Sequence, residues 1–398
     1  MKNIERPIYL EKMKRLKGSP DIKIITGIRR AGKSKLLLSY IEWLRSINPD
    51  DNIIFIDLLL LQNEALREYH ALHEAIEAQY RNGVNNYLCI DEVQMCSDFE
   101  LAINSLHQMG KYDIYLTGSN AFLLSSDLAT LFTGRVIQIE VFPFSFSEYR
   151  MYFGDDADKQ EQFDQYITDG GFSGSYPYTH LTDRTQYVKE VYKTIIQRDM
   201  VERYNLPDTT VLSRLAEYMM DNVSNITSPN NLVTNLIADG SQTNRTTIAR
   251  YLEHLEHSFM FYLVGRYDVK GKKYLQSLGK YYIVDSGIRY AVLGRRNMDY
   301  GRVYENIVAI ELKRRGYEIY VGKLYQKEID FVAIQGNEKI YIQVSDNITE
   351  PETLNREIEP LLKIRDAYPK FLIARTRHEI YDYQGIKIID LASWLLTS

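Results

Sequence analysis

Apolar runs alternate with helical repeats in the first part of the chain. The run Ile22-Lys23-Ile24-Ile25-Thr26 predicts a short buried strand, and large apolar residues between Leu36 and Leu44 then recur at helical spacing. Tyr87 to Ile90 and Tyr112 to Leu116 predict two further apolar strands. This part of the chain is therefore expected to alternate between strands and helices.

The middle of the chain has three helical repeats followed by a strand pair. A first helix is predicted near Leu212 to Val223, a second over 231–238, and a third, capped by Thr243 or Asn244, with an inner face from Ile248 to Phe259. Strand-like runs at 260–266 and 281–284 then enclose a basic turn. Three helices and a basic hairpin predict a winged-helix domain.

The last part of the chain predicts one helix and a strand hairpin. Tyr304 to Leu312 has helical spacing, and the apolar runs 331–334 and 339–344 are joined by the turn Gln335-Gly336-Asn337-Glu338. Upstream, the breaker cluster Gly170 to Pro177 places a domain boundary between Tyr149 and Pro177. The chain is expected to be modular.

Composition agrees with a modular globular protein. The chain has 398 residues, enough for two or three domains, with 45% hydrophobic and 25% charged residues. No run approaches the roughly 20 apolar residues of a membrane span. The two cysteines, Cys89 and Cys96, give no disulfide framework. We therefore expect a cytoplasmic location. The net charge of −5 means that any contact with nucleic acid must be local.

The strongest chemical motif follows the first predicted strand. It has the form G-x-x-x-x-G-K-[ST], a phosphate-binding loop between a strand and a helix. Glycines let the backbone N–H groups face phosphates, the helix N-terminus adds partial positive charge, the lysine contacts the β- and γ-phosphates, and the serine ligates magnesium. The loop residues are Gly27, Ile28, Arg29, Arg30, Ala31, Gly32, Lys33 and Ser34.

Two adjacent acids end the strand that includes Cys89. Side chains alternate along a strand, so Asp91 and Glu92 take different roles. Asp91 is predicted to hold the magnesium shell and Glu92 to polarise the attacking water. The next strand ends in Thr117-Gly118-Ser119-Asn120, where Ser119 and Asn120 are predicted either to sense the γ-phosphate or to cap a helix.

Arg135, within Leu131-Phe132-Thr133-Gly134-Arg135, is the candidate arginine that stabilises the transferring phosphate. Its sequence position leaves three alternatives open. It acts within its own chain, it acts on the site of a neighbouring subunit, or it is a surface residue.

The order of motifs resembles one family of ATPases. From Arg6-Pro7-Ile8-Tyr9 through GIRRAGKS, CIDEVQ, LTGSN and FTGR to FPFSFSEY, the chain is similar to bacterial and archaeal AAA+ (ASCE-class) ATPases with a C-terminal domain of unknown function. The resemblance implies ATP and Mg²⁺ as ligands and an α/β fold. It further implies a RecA-like parallel-sheet ATPase domain over 1–165, a winged-helix domain over 166–295 and a restriction-endonuclease-like domain over 296–398.

The winged-helix prediction places a group of polar residues where a DNA groove would be contacted. Residues near the start of the third helix would face the groove, and lysines of the hairpin would contact phosphates. The alternative is a winged helix used only for packing, with solvated charges. These candidate contacts are Arg245, Thr246, Thr247, Arg250, Lys270, Lys272 and Lys273.

The C-terminal segment resembles the PD-(D/E)xK nuclease arrangement, with Glu305 on a helix and Asp330, preceded by Glu328, on a strand. The next strand departs from that pattern. Where Glu-x-Lys is expected, the chain has Gln343-Val344-Ser345 and so loses one anionic ligand and the lysine. We expect the fold to be retained and cleavage to be lost.

Two functions follow from these motifs. The first is a magnesium-dependent ATPase that moves the winged-helix and nuclease-like modules, acting on DNA or RNA. The second is a slow nucleotide-controlled switch that signals to a protein partner. Both are compatible with a homo-oligomer.

Overall fold

The computed structural model describes residues 4–118, 132, 134–206, 209–295 and 298–397. Contacts divide the chain into an N-terminal unit, Asn3–Phe142, and a C-terminal unit that begins at Pro143. Each unit has its own sheet.

The N-terminal unit is built on a five-stranded parallel sheet in the order β2-β3-β4-β1-β5. The N-terminal unit also contains two 3₁₀ segments, Leu61–Arg67 and Val93–Met95. The elements described here are α1 (Pro7–Arg15), β1 (Ile22–Thr26), α2 (Lys33–Ile47), β2 (Asn52–Asp57), α3 (Tyr69–Glu77), β3 (Asn86–Asp91), α4 (Phe99–Gln108), β4 (Asp113–Thr117) and β5 (Val136–Glu140).

Strands β1 and β3 are buried along their whole length. Parallel strands covered on both faces have continuous apolar runs for this reason, and this pattern made them recognisable in the sequence. The predicted strand at Ile22–Thr26 matches β1, and the predicted Tyr112–Leu116 strand is displaced by one residue from β4. All five carboxyl ends lie at one edge of the sheet, where ligands of open α/β sheets bind.

The C-terminal unit combines helices with a nine-stranded sheet. A π-helical segment, Ile195–Glu202, continues α7. The elements are α5 (Phe146–Phe153), α6 (Lys159–Asp169), α7 (Leu181–Thr194), α8 (Thr209–Asp221), β6 (Ile226–Thr227), α9 (Pro229–Ala238), α10 (Arg245–His257), β7 (Phe261–Asp268), β8 (Lys273–Ile283), α11 (Ser286–Leu293), α12 (Tyr300–Arg314), β9 (Glu318–Leu324), β10 (Lys327–Gln335), β11 (Glu338–Ser345), α13 (Pro351–Leu362), β12 (Lys370–Ala374), β13 (Tyr381–Tyr383), β14 (Ile386–Asp390) and α14 (Leu391–Trp394).

The hairpin β7-β8 belongs to the same sheet as the C-terminal strands. Its strand β7 pairs in parallel with β9, which gives the order β13-β14-β12-β11-β10-β9-β7-β8-β6. Tyr267 and Val269 from the hairpin pack in one core with Ile329 and Leu372. One sheet therefore contains strands from both sides of residue 295.

The predicted hairpin across Gln335–Glu338 is present, with Gln335 paired to Glu338 at its end. Both cysteines are free and buried. Within the described ranges, no helix is both long and apolar enough to span a membrane.

Candidate functional site

The phosphate-binding loop has the backbone that its glycines permit. Gly27 has φ 132°, and a Cβ at this position would lie 2.1 Å from the carbonyl oxygen of Val141. Gly32, with φ 96°, is the N-cap of α2. Only glycine adopts such angles without strain, so both positions are fixed by backbone geometry.

Lys33 begins α2 and folds back onto the loop. Its Nζ donates to the carbonyl oxygens of Gly27 at 2.9 Å and Ile28 at 3.0 Å, and the residue is 4% exposed. Ser34 follows in the first turn of α2, where backbone N–H groups lack helical acceptors and favour an anion. The predicted loop residues therefore surround one helix N-terminus.

Asp91 and Glu92 lie at the carboxyl end of β3, two strands from β1. Asp91 is 4% exposed and accepts a hydrogen bond from the Thr117 hydroxyl at the end of β4. The same Thr117 oxygen accepts the Glu92 backbone N–H at 3.0 Å. Thr117 thus contacts the Asp91 carboxylate and the Glu92 backbone, and Glu92 itself follows the strand with a left-handed backbone, φ 54°.

Gln94 is a site residue that the sequence argument did not assign. Its Nε2 donates to Glu92 Oε2, while its own Oε1 is buried without a partner in the described part of the chain. The sequence signal was its place in the Asp91-Glu92-Val93-Gln94 run, but only the 3₁₀ turn after β3 brings the amide back to the carboxylate.

Arg6 is a second residue without an assigned role in the sequence argument. It lies just before α1, is 6% exposed and stacks over the Tyr9 ring at 4.6 Å. Its guanidinium donates to the carbonyl oxygens of Ala31 and Phe142, both at 2.8 Å. Arg6 therefore ties the phosphate-binding loop to the chain segment after β5.

Three further predicted residues of the nucleotide site are Ser119, Asn120 and Arg135. Ser119 and Asn120 fall outside the described residues. Arg135 is exposed and directly precedes β5, whose first residue, Val136, pairs with Ile22. The phosphate-binding loop follows the other end of β1, about 16 Å away at about 3.3 Å per residue. Arg135 is therefore at the sheet edge opposite the loop of its own chain.

The predicted nucleic-acid residues lie on α10 and the β7-β8 turn. On α10, Arg245, Thr246 and Arg250 are exposed, while Thr247 is half-buried and donates its backbone N–H to the N-cap Asn244 at 2.9 Å. Thr247 belongs to the helix cap. The lysines of the turn, Lys270, Lys272 and Lys273, are exposed.

The acids of the nuclease-like segment converge on a lysine from the hairpin. Lys280, in β8, lies 2.9 Å from a Glu305 oxygen, 2.6 Å from Glu328 and 3.8 Å from Asp330. Tyr282, two residues along β8, donates its hydroxyl to Glu305 at 2.7 Å. The strand β11 has Ser345 at the position of the motif lysine, and the structure places Lys280 among these acids from a different strand.

Burial and charge act in opposite directions in this cluster. Burial lowers the pKa of Lys280, but the carboxylates of Glu305, Asp330 and Glu328 outweigh it, so the net pKa shift is upward. Burial, and then the charge of Glu305, raises the pKa of Asp330 well above its ordinary value. Burial also raises the pKa of Glu305. The acids therefore favour the charged form of Lys280, while burial opposes ionisation of Glu305 and Asp330.

Gln343 lies beside Asp330. Its Oε1 accepts the Asp330 N–H at 3.3 Å, and its Nε2 donates to Glu357 at 3.1 Å. Ser345 bonds the Asn347 carbonyl at 3.1 Å. Across the described residues, no group of three or more His, Cys, Asp or Glu side chains is arranged to hold a metal ion.

Comparison with known families and proteins agrees with the N-terminal geometry. Residues 19–150 match the family model described as "AAA domain", and residues 160–299 match a "Domain of unknown function (DUF8612)". The predicted AAA-type P-loop ATPase domain is confirmed. The winged-helix and nuclease-like interpretations stay predictions.

Two relatives align with most of the chain. An uncharacterized protein of Haemophilus influenzae is 34% identical over 399 residues, covering 99% of this chain and 98% of its own. The uncharacterized protein MJ1544 of Methanocaldococcus jannaschii is 28% identical over 352 residues, covering 85% and 77%. Domain III of the Thermotoga maritima replication initiation protein DnaA aligns with 48% of this chain and 84% of its own, at 17% identity and a TM-score of 0.30. That TM-score is too low to support an inference.

Proposed function

We propose, for a chain that belongs to the same family as the Haemophilus influenzae protein and contains an AAA-type P-loop ATPase domain, that it is an ATP-hydrolysing enzyme. We further propose that its ATP turnover acts on nucleic acid through the C-terminal unit. The observation that carries the proposal is the joint geometry of the loop and the acid pair. A lysine at a helix N-terminus and two acids fixed by one threonine lie at the same sheet edge.

The triphosphate binds at the N-terminus of α2. Loop N–H groups and Lys33 hold the β- and γ-phosphates, and the Lys33 bonds to Gly27 and Ile28 give way to bonds with phosphate oxygens. The lysine is already beside the loop, so binding needs only a short movement of its terminal atoms. Arg6 holds the Ala31 carbonyl of the loop by a hydrogen bond at 2.8 Å.

Hydrolysis depends on the acid pair. Asp91 is a buried carboxylate without a cationic partner in the described ranges, and with the Ser34 hydroxyl it offers the hard oxygen ligands that Mg²⁺ prefers. When bound, Mg²⁺ neutralises charge on the β- and γ-phosphate oxygens. Glu92 orients the attacking water and accepts its proton, a contribution of about 10² to 10⁴ in rate.

The Lys33→Ala variant tests whether ATP binds at the loop. We expect the variant to lose measurable ATP affinity in a calorimetric titration with Mg²⁺ present, because the loop loses the lysine ammonium that contacts the β- and γ-phosphates. Glu92→Gln is the matched control, since it keeps the binding groups and loses the base. Unchanged ATP affinity in Lys33→Ala contradicts the site assignment.

Arg135 is proposed to act on the site of a second copy, since it lies at the edge opposite its own loop. Mixing Arg135→Ala with Lys33→Ala tests this. Each variant alone is inactive, and mixed assemblies regain activity where an intact loop meets an intact arginine. No recovery in a demonstrated mixed oligomer contradicts the proposal.

The nucleic-acid part of the proposal rests on α8, α9 and α10 followed by the β7-β8 hairpin, an order that favours a winged helix. Exposed Arg245 and Arg250 on α10 are available to a duplex. Steady-state turnover with DNA, with RNA and without either tests the coupling. Severalfold stimulation supports a motor, whereas slow, unstimulated turnover with retained ADP supports the second candidate, a switch that signals to a protein partner.

The nuclease-like segment is proposed to be catalytically inactive. Lys280 occupies the position among Glu305, Glu328 and Asp330 where a cation would have to bind. An ammonium group offsets part of the charge of these acids but cannot coordinate a water and lower its pKa as a metal does. Robust magnesium-dependent cleavage that disappears in Asp330→Ala contradicts this proposal.

A further inference from the structure

Three chain segments of the C-terminal unit enclose a cleft of about 480 Å³. They are the β7-β8 turn, the β9-β10 turn and the loop after α13. We call this the turn cleft. It is lined by Val269, Lys270, Lys272, Leu324, Tyr325, Lys363, Ile364, Arg365 and Asp366.

The turn cleft concentrates positive charge on a chain whose net charge is −5. Four of its lining residues are basic and one is acidic. The acid, Asp366, is already engaged by the Tyr341 hydroxyl at 2.5 Å and by Lys339 at 3.2 Å. Asp366 is therefore already engaged and is not free to neutralise the other basic groups that line the cleft.

Two of the four cations have no structural role in the described ranges. Lys272 and Arg365 are exposed and make no hydrogen bond or ion pair there. Lys363 pairs with Glu359 at 2.7 Å, but both side chains are more than 40% exposed, so solvent screens the pair. Three cations can thus turn to an anionic ligand at little cost.

Tyr325 adds an exposed aromatic face. It is 61% exposed and has φ 57°, a left-handed backbone that is rare for a bulky residue. Lys270 Nζ lies 4.7 Å from the ring centroid. A strained, exposed tyrosine beside a cation contributes little to packing and is suited to ligand contact.

We propose that the turn cleft binds single-stranded nucleic acid. Lys272, Lys363 and Arg365 hold phosphates, and one base stacks on the open face of Tyr325. Grooves that bind single strands combine these two features, cations along the backbone and aromatic rings for bases. A duplex keeps its bases stacked inside and cannot place one in a recess between loops, so the geometry favours a single strand.

This inference rests on the proposed function and deepens it, because it names the form of nucleic acid and the residues that hold it. Its test uses the full chain and a fluorescently labelled 12-nucleotide oligothymidine, without ATP. Fluorescence anisotropy measures affinity at several salt concentrations. The wild type is compared with Lys272→Ala/Arg365→Ala and with the charge-matched control Lys189→Ala/Lys193→Ala, which removes two exposed lysines from α7.

We expect Lys272→Ala/Arg365→Ala to weaken binding about 10-fold or more near 0.1 M salt and to reduce the slope of log affinity against log salt by about 1.4, since each phosphate contact with a single strand contributes about 0.7. The control double variant retains wild-type affinity and slope. Tyr325→Ala weakens binding about 5-fold or more, as expected for loss of one stacked base, while Tyr325→Phe does not.

Equal losses in both double variants would show a general charge effect and overturn the proposal. So would tighter binding of a 12-base-pair duplex that is weakened by Arg245→Ala and not by the cleft variants, because the contact would then lie on α10. Tight binding of thymidine monophosphate that does not increase with chain length would also overturn it. Failure of the proposed ATPase is distinguishable, since it appears as absent turnover while oligothymidine still binds.

Discussion

At the residue scale, the glycine-dependent backbone of the loop at residues 27–34 was predictable from the sequence, and the contacts that support it were not. The eight loop residues are contiguous, so their sequence alone specifies strand, turn and helix start. Arg6 contacts the carbonyls of Ala31 and Phe142, which lie 25 and 136 positions further along the chain. No periodicity encodes such contacts, because they depend on how α1 packs against the sheet.

Gln94 gives the residue-scale prediction. Its amide holds the Glu92 carboxylate, and the described contacts give it no bond to the loop. We expect Gln94→Ala to lower kcat about 10-fold, the effect of about 1.4 kcal/mol for a hydrogen bond to a charged group. The Kd for ATP stays unchanged, because the phosphates are held by other groups. Single-turnover hydrolysis and a binding titration measure the two quantities.

The double variant Glu92→Gln/Gln94→Ala provides the control for the Gln94 prediction. In a Glu92→Gln background, Gln94→Ala should cause no further loss, since the group that it positions is already absent. An additional 10-fold loss there, or a weakened Kd in the single variant, would mean that Gln94 acts in some other way.

At the element scale, the helices and strands that periodicity did predict lie within a few residues of the observed ones, apart from one strand whose error has a physical cause. The second strand of the hairpin was expected to begin at Tyr281 but extends from Lys273 to Ile283. Its earlier residues include Lys280, which pattern rules assign to solvent because lysine is rarely buried. The acids that compensate its burial come from α12 and β10, too distant in sequence to be anticipated.

Helix α10 gives the element-scale prediction, a dependence of stability on pH. Its His254 is 7% exposed, stacks on Tyr204 at 3.7 Å, and has no hydrogen-bond partner on either ring nitrogen in the described part of the chain. Burial lowers the pKa of His254 to about 4. Between pH 6.5 and 4 the histidine is therefore protonated in the unfolded chain and neutral in the folded chain. The free energy of unfolding decreases as the pH falls through this range.

Comparison of the wild type with His254→Phe isolates this effect. The variant keeps an aromatic ring over Tyr204 and cannot titrate, so the wild type should lose about 2 kcal/mol more than the variant between pH 6.5 and 4. Urea unfolding at each pH measures the difference. Glu256 on the same helix has a pKa raised by burial to about 7, so its contribution to stability increases as the pH falls. Glu256 is present in both the wild type and the variant, so the comparison removes its contribution. A pH-independent difference would contradict a buried neutral histidine.

At the scale of the whole molecule, the sequence predicted separate winged-helix and nuclease-like segments, and the structure joins their strands in one sheet through the parallel pairing of β7 with β9. That pairing follows from long-range packing of Tyr267 and Val269 on the C-terminal core. Hairpins are local and can be recognised from a turn, whereas a parallel pair has no turn between its strands to reveal it.

Lys280 tests whether this sheet is one cooperative unit. Lys280→Met removes a buried cation from Glu305, Glu328 and Asp330 and leaves their charge uncompensated, which typically costs about 3–5 kcal/mol. Since the lysine belongs to β8 and two of its acids belong to β10, we expect hydrogen exchange to accelerate in β10 and β11 as strongly as in β7 and β8. Lys193→Ala, which removes an exposed pair with Glu190, should leave exchange unchanged. Acceleration confined to the hairpin would mean that β7 and β8 open independently of the C-terminal strands, and the continuous sheet would then not be one folding unit.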